Sequence, residues 1–131
     1  MILDASAVVA ILRQEREAAS VARAIEKADE RKISAVNYVE AAAVIDSEKD
    51  PVASRRLDEL LELAEVEIAA VTPEQARLAR NAYRQFGRGS GHPAKLNLGD
   101  CFAYALAIST NEPVLAKGEE FQKAGLTLAG E

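Results

Sequence analysis

Five carboxylates of this 131-residue chain stand where their chemistry is worth asking about. Asp4 interrupts the apolar run MILDASAVVAIL. Glu40 lies inside SAVNYVEAAAV. Asp100 sits beside Gly99, where LNLGDCFAYALAIST turns from polar to almost wholly apolar. Glu119 and Glu120 are adjacent in VLAKGEEF. Each has an ordinary explanation. Asp4 and Asp100 can cap helices, a contribution of about 1 kcal/mol each. Glu40 can favour the positive end of a helix, by about 0.3–1 kcal/mol. Glu119 and Glu120 can be solvated turn residues. Brought together, the same groups would repel one another and hold their pKa values high. A fold tolerates such a cluster when a divalent cation neutralises it, and oxygen-only ligands favour Mg²⁺ or Mn²⁺. That chemistry suits phosphodiester hydrolysis. The metal polarises a phosphoryl oxygen and lowers the pKa of a bound water, and a second ion about 3.5–4 Å away steadies the leaving oxygen. Ser6 either adds a hydroxyl to such a site or positions Asp4.

Whether these groups meet depends on the elements that carry them. MILD reads as a short buried strand, followed by helices through AVVAILRQE, capped by Ser6, and EAASVARAIEKADE. KISAV (32–36) is a second strand, and Asn37 is expected to cap the helix after it. Asp50 and Pro51 start a helix running to about Glu65, with Pro in its first turn. VEIAAV is a third strand. Thr72, Pro73 and Glu74 open a helix that ends near Gly87, and GRGSGHPAK is a loop. Gly99 and Asp100 open the next helix, closed by Asn111, Glu112 and Pro113. VLA (114–116) is a fourth strand, KGEEFQKAG a turn with a short helix, and LTLA a fifth strand. Short apolar strands alternating with helices give a three-layer α/β/α sandwich with a mostly parallel, four- to five-stranded sheet. In such sheets the working site lies beyond the carboxyl ends of the strands. Asp4, Glu40, Asp100, Glu119 and Glu120 all fall at or near that edge.

The length fits one domain over residues 1–131 with a core that needs no staples. Cys101 is the one cysteine, which excludes a disulfide framework and a multi-thiolate metal site. Lacking a histidine base beside it, Cys101 reads as a small core residue rather than a nucleophile. No run is long enough to span a membrane, and the N-terminus lacks the features of a signal peptide, so a cytoplasmic protein is expected. The net charge of −5 argues against nucleic acid. Its distribution argues the other way. Residues 76–99 contain no Asp or Glu, whereas Arg77, Arg80, Arg84, Arg88 and Lys95 fall there. The arginines, spaced 3, 4 and 4 apart, form one helical face that reads either as solvated surface or as a track for an RNA backbone. His92 has no spacing partner for a zinc site and reads chiefly as a loop residue.

The opening with Asp4 and Ser6, Glu40 in SAVNYVEAAAV, and GDCFAYALA followed a dozen residues later by VLAKGEEF resemble the PIN-domain ribonucleases. The stretch from FGRGSGHPAK to KGEEF is similar to the VapC-type toxins of bacterial and archaeal toxin–antitoxin pairs. The resemblance spans essentially the whole chain. It implies a Mg²⁺- or Mn²⁺-dependent endoribonuclease, a homodimer, and a cognate antitoxin that inserts a segment near the acidic site. Position by position it implies Asp4, Glu40 and Asp100 as catalytic and metal-binding residues and Ser6 as the supporting hydroxyl. For the fourth acidic position, where the family carries Asp or Asn, it implies Glu119, with Glu120 as the alternate. A PIN-like module that binds RNA or protein without cutting is the competing reading. A phosphatase or receiver domain fits less well. No DxD motif follows Asp4, and strand three ends in Val71 and Thr72 without a phosphorylatable Asp.

Overall fold

The computed structural model describes residues 1–130. Four short strands, β1 (Ile2–Leu3), β2 (Arg31–Ser34), β3 (Val66–Ala69) and β4 (Val114–Leu115), form one all-parallel sheet in the order β3-β2-β1-β4. The helices between and after them are α1 (Ala5–Leu12), α2 (Ala18–Lys27), α3 (Ala35–Asp46), α4 (Pro51–Leu63), α5 (Pro73–Phe86), α6 (Leu98–Thr110) and α7 (Glu120–Lys123).

Alternation along the two-residue strands divides the interior. Leu3 pairs in register with Ile33 on one side and Leu115 on the other, and these three enter the core formed with α1 to α4. Ile2 and Val114, also in register, point the other way. They pack with Ala103, Leu106 and Ala107 of α6 and with Phe121 of α7. Helix α5 then lays Ala79 and Ala82 on Cys101 and Ala105 of α6, where small side chains permit close approach. Helices thus cover both faces of the sheet, the three-layer sandwich that the sequence implies.

The fifth strand does not form. Residues 126–129 contribute one parallel bridge between Leu128 and Val114, with bonds from Val114 N–H to the Thr127 carbonyl (3.0 Å) and from Ala129 N–H to the Val114 carbonyl (2.8 Å). Because β4 has two residues, its free edge offers a partner for a single ladder step.

The strand order creates the site. From β1 the chain moves outward through β2 to β3, then returns to the opposite side of β1 for β4. The reversal opens a crevice beyond the carboxyl ends of β1 and β4, the place where open α/β sheets accommodate ligands.

Candidate active site

Asp4 leaves β1 and becomes the N-cap of α1, so of the two caps the sequence allows the helix uses Asp4 and not Ser6. Its Oδ2 accepts the Ser6 N–H at 3.1 Å. Its Oδ1 is buried and accepts no hydrogen bond, although the residue is only 5% exposed. The Ser6 hydroxyl does a second job. Its Oγ accepts the Lys117 N–H at 3.0 Å, tying the start of α1 to the turn after β4.

Glu40 lies one turn and a half into α3. That helix starts earlier than the sequence suggests, because Ser34 ends β2 and also caps α3 through Val36 N–H. Asn37 is therefore not the cap. It is fully buried inside the helix, three residues before Glu40, and its Nδ2 donates to Glu40 Oε1 (3.3 Å) and to the Gly99 carbonyl (2.9 Å). One amide thus fixes Glu40 against the first turn of α6. Gly99 completes the fit. A Cβ there would lie 2.1 Å from Glu40 Oε2, so no larger residue leaves that carboxylate in place.

Asp100 is the third residue of α6, which Asn97 caps. Asn97 Oδ1 accepts the Asp100 N–H at 2.7 Å, and Asp100 Oδ2 accepts the Asn97 N–H at 2.9 Å. This reciprocal box satisfies two helix-terminal donors. Capping therefore does not exclude a site role for either aspartate, since each caps a helix through Oδ2 and keeps Oδ1 outside the cap.

Of the two candidates for the fourth acidic position that the resemblance implies, the cleft is lined by the alternate, Glu120. Glu120, the first residue of α7, lines the cleft with Asp4, Glu40 and Asp100, whereas Glu119, exposed at the N-cap of α7, is not part of its lining. The physical reason is the turn. Gly118 has φ +103°, and a Cβ on it would lie 2.5 Å from Glu120 Oε2, so the Glu120 carboxylate folds back over the glycine.

The cleft encloses about 700 Å³. None of its four carboxylates is ion-paired among the described residues, in contrast to Glu112 at the opposite edge, which is paired with Lys32. Burial and the neighbouring charges raise the two aspartates. Burial, then the charge of Asp4, with Glu40 and Glu120 adding, pushes the Asp100 carboxyl up to about 7, against the hydrogen bond from Asn97. Burial also raises Asp4, with Glu40 adding and Ser6 opposing.

These residues suit a hard divalent cation. The donor set is oxygen only, the buried Asp4 Oδ1 lacks any partner, and two glycines leave room that Glu40 and Glu120 fill. Cys101 is next in sequence, yet burial and then Asp100 push its thiol up to about 12, which removes it as a thiolate ligand. Among the described residues no three carboxylate, histidine or cysteine side chains already stand in holding distance of one ion. Loading therefore requires carboxylates to draw together, and Glu40 and Glu120 have the longer side chains to do so.

Cations ring the acidic floor. Arg13, Arg88, Lys95, Lys117 and Lys123 all line the cleft. Arg13 is paired with Glu48 at 2.8 Å and Lys117 with Glu15 at 2.9 Å, while Arg88, Lys95 and Lys123 form no ion pair among the described residues. Of the five basic residues that suggest an RNA track in the sequence, Arg88 and Lys95 reach the cleft. Arg77, Arg80 and Arg84 stand exposed along α5 outside its lining.

A model of the PIN domain matches residues 1–126. Ribonuclease VapC28 of Mycobacterium tuberculosis is 57% identical over 129 residues, covering 98% of this chain and 97% of its own length. Among solved structures, VapC20 of Mycobacterium tuberculosis, described as a sarcin-ricin loop cleaving toxin, superposes with a TM-score of 0.75 at 16% identity, over 96% of this chain and 95% of that one. A chain of a toxin–antitoxin complex from Klebsiella pneumoniae gives 0.71 at 14% identity, over 99% and 97%. At those identities the two structures bear on the fold alone.

Proposed function

Because the chain belongs to the PIN-domain family, among its VapC ribonucleases, we propose that it is a divalent-metal-dependent endoribonuclease whose active site is the acidic cleft. The observation that carries this reading is the convergence of Asp4, Glu40, Asp100 and Glu120, without a single ion pair, on the crevice beyond β1 and β4. Asp4, Asp100, Glu40 and Glu120 would hold Mg²⁺ or Mn²⁺, with Ser6 and Asn37 as positioning residues. When bound, such an ion would supply Lewis acidity toward a phosphoryl oxygen and a water molecule. The protein supplies the rest. Ser6 fixes the carboxylate of Asp4 through its N–H, and the capping box fixes that of Asp100. Asn37 holds Glu40 in register with α6. Arg88 and Lys95 on the rim draw the RNA backbone toward the acidic floor, which would otherwise repel it.

The match to VapC ribonucleases supports a role as the toxin of a toxin–antitoxin pair, neutralised by a cognate antitoxin. The unneutralised charge of the cleft complements a basic segment of that partner. Membership of the family supports a homodimer. No helix among the described residues is long and apolar enough to cross a membrane, and the proposed RNA substrate places the action in the cytoplasm.

The test is cleavage of total cellular RNA by purified protein with Mg²⁺, with Mn²⁺ and with EDTA, beside Asp4→Asn and Asp100→Asn. Discrete fragments that require metal and vanish in both variants are expected. RNA binding with no cleavage under any condition would favour the non-cutting module.

A further inference from the structure

Next to the acidic cleft lies a smaller pocket of about 350 Å³, lined by Arg88, Gly89, Gly91, His92 and Lys95. Arg88 and Lys95 line both spaces, so the two are adjacent. The loop that builds the small pocket is tied down. Arg88 N–H donates to the Leu96 carbonyl and Leu96 N–H to the Phe86 carbonyl, both at 2.9 Å, closing its base. Ser90 Oγ donates to the Gly87 carbonyl at 2.6 Å and accepts the His92 N–H at 3.2 Å.

The imidazole of His92 is oriented by two contacts. Its ring stands edge-on to Phe86, with centroids 4.8 Å apart and planes at 81°. Its Nδ1 accepts the Ala94 N–H at 3.0 Å. With Nδ1 used as an acceptor, the neutral ring carries its proton on Nε2, which is a donor left for a ligand. Gly89 and Gly91 adopt φ +86° and +87°, and nothing lies within 4 Å of a Cβ built on either. The floor between the three donors is therefore bare backbone that a ligand can approach closely. Arg88 and Lys95 form no ion pair among the described residues, although they also line the acidic cleft.

A guanidinium fork, an ammonium and an imidazole N–H around an open, glycine-lined hollow match the oxygens of a phosphodiester. Resting on the ribonuclease reading, we propose that the 88–95 loop is a second phosphate subsite, which grips an RNA phosphodiester adjacent to the one cut in the acidic cleft. Arg88 and Lys95, shared by both spaces, bridge the two phosphates. His92 serves only the second and so fixes the register in which the strand crosses the carboxylates.

The test is binding of a fluorescent, unstructured oligouridine in EDTA, followed by anisotropy across a salt series, which needs neither metal nor cleavage. Arg88→Gln and Lys95→Gln should each weaken binding about tenfold and make the slope of log K on log salt shallower by about 0.7. His92→Ala should weaken binding about fivefold, since it removes the Nε2–H donor. Lys27→Gln, exposed on α2, is the control and should match wild type. Lys95 has φ +49°, so Lys95→Asn, which tolerates that backbone, accompanies Lys95→Gln, and melting curves confirm that each variant folds. Wild-type affinity and slope in the loop variants would overturn the proposal. So would loss of poly-glutamate binding with RNA binding intact, which would assign the loop to an acidic protein partner. Altered slopes together with no metal-dependent cleavage would sink the ribonuclease reading alone. Cleavage by wild type with unaltered slopes would sink the subsite alone.

Discussion

In the metal-free protein, Asp100→Asn should stabilise the fold, and the gain should grow with pH. The Asp100 carboxyl titrates at 3.8 in its ordinary state and at about 7 in the folded protein. Below 3.8 both states hold the proton and the group costs nothing. Between 3.8 and 7 the unfolded chain releases the proton while the folded chain keeps it, so stability falls as pH rises. Above 7 the loss is complete. A shift of about three units at 1.36 kcal/mol per unit is at most roughly 4 kcal/mol. Asp100 is only partly buried, and solvent screening halves this to about 2 kcal/mol. Asparagine carries an oxygen that can accept the Asn97 N–H, so the cap contributes a term that does not vary with pH and subtracts out. The gap between variant and wild type should therefore be small near pH 4.5 and reach about 2 kcal/mol at pH 8. For a domain of this length that is roughly 6–8 °C in Tm. Thermal melts in EDTA at pH 4.5, 6 and 8 provide the measurement. Adding Mg²⁺ at pH 8 should raise the Tm of wild type and not of the variant, because an ion that binds only the folded state stabilises it by mass action. A gap that stays constant with pH, or a wild type more stable than the variant at pH 8, would refute the charge-crowding argument.

Gly99→Ala places a methyl 2.1 Å from Glu40 Oε2 and must displace that carboxylate. RNA cleavage should fall about 100-fold, while Tm holds or rises because Ala is the better helix former by about 0.5–1 kcal/mol. Glu120→Gln should lower both cleavage and Mn²⁺ affinity at least about tenfold by removing a ligand, whereas Glu119→Gln should leave both unchanged, as calorimetry and a cleavage assay would show. Asn37→Leu leaves the Gly99 carbonyl without its donor and frees Glu40. It should cost about 1–3 kcal/mol in urea unfolding and reduce cleavage more than the stability loss explains.

Much of the fold is legible in the residues because its strands are short apolar runs between polar breaks. Leu3 and Ile2 serve opposite faces by alternation alone. Asp4 and Asp100 announce themselves as charges at the edge of apolar segments. What the sequence poses as a choice between capping and chemistry is not exclusive, since a carboxylate has two oxygens and both residues cap through Oδ2 and leave Oδ1 outside the cap. Asn37 is hidden because α3 starts directly from the last residue of β2, without a loop, so a polar residue that looks like a cap lies a turn deeper. Its spacing of three from Glu40 is the available signal. Which of Glu119 and Glu120 faces the cleft is not legible in the sequence, because it depends on the turn at Gly118, whose φ is +103°. Helical spacing correctly puts Arg77, Arg80 and Arg84 on one face. Arg88 departs from it because α5 ends at Phe86, and the loop carries it to the cleft instead.

The central claim, that Asp4, Glu40, Asp100 and Glu120 form one divalent-cation site, is tested most directly by titrating the purified protein with Mn²⁺ and following the unbound ion by electron paramagnetic resonance. Saturable binding that Mg²⁺ displaces, and that weakens at least about tenfold in Asp4→Asn, Asp100→Asn and Glu120→Gln but not in Glu119→Gln, is the expected result. No saturable binding by wild type, or the same affinity in all four variants, would contradict the account.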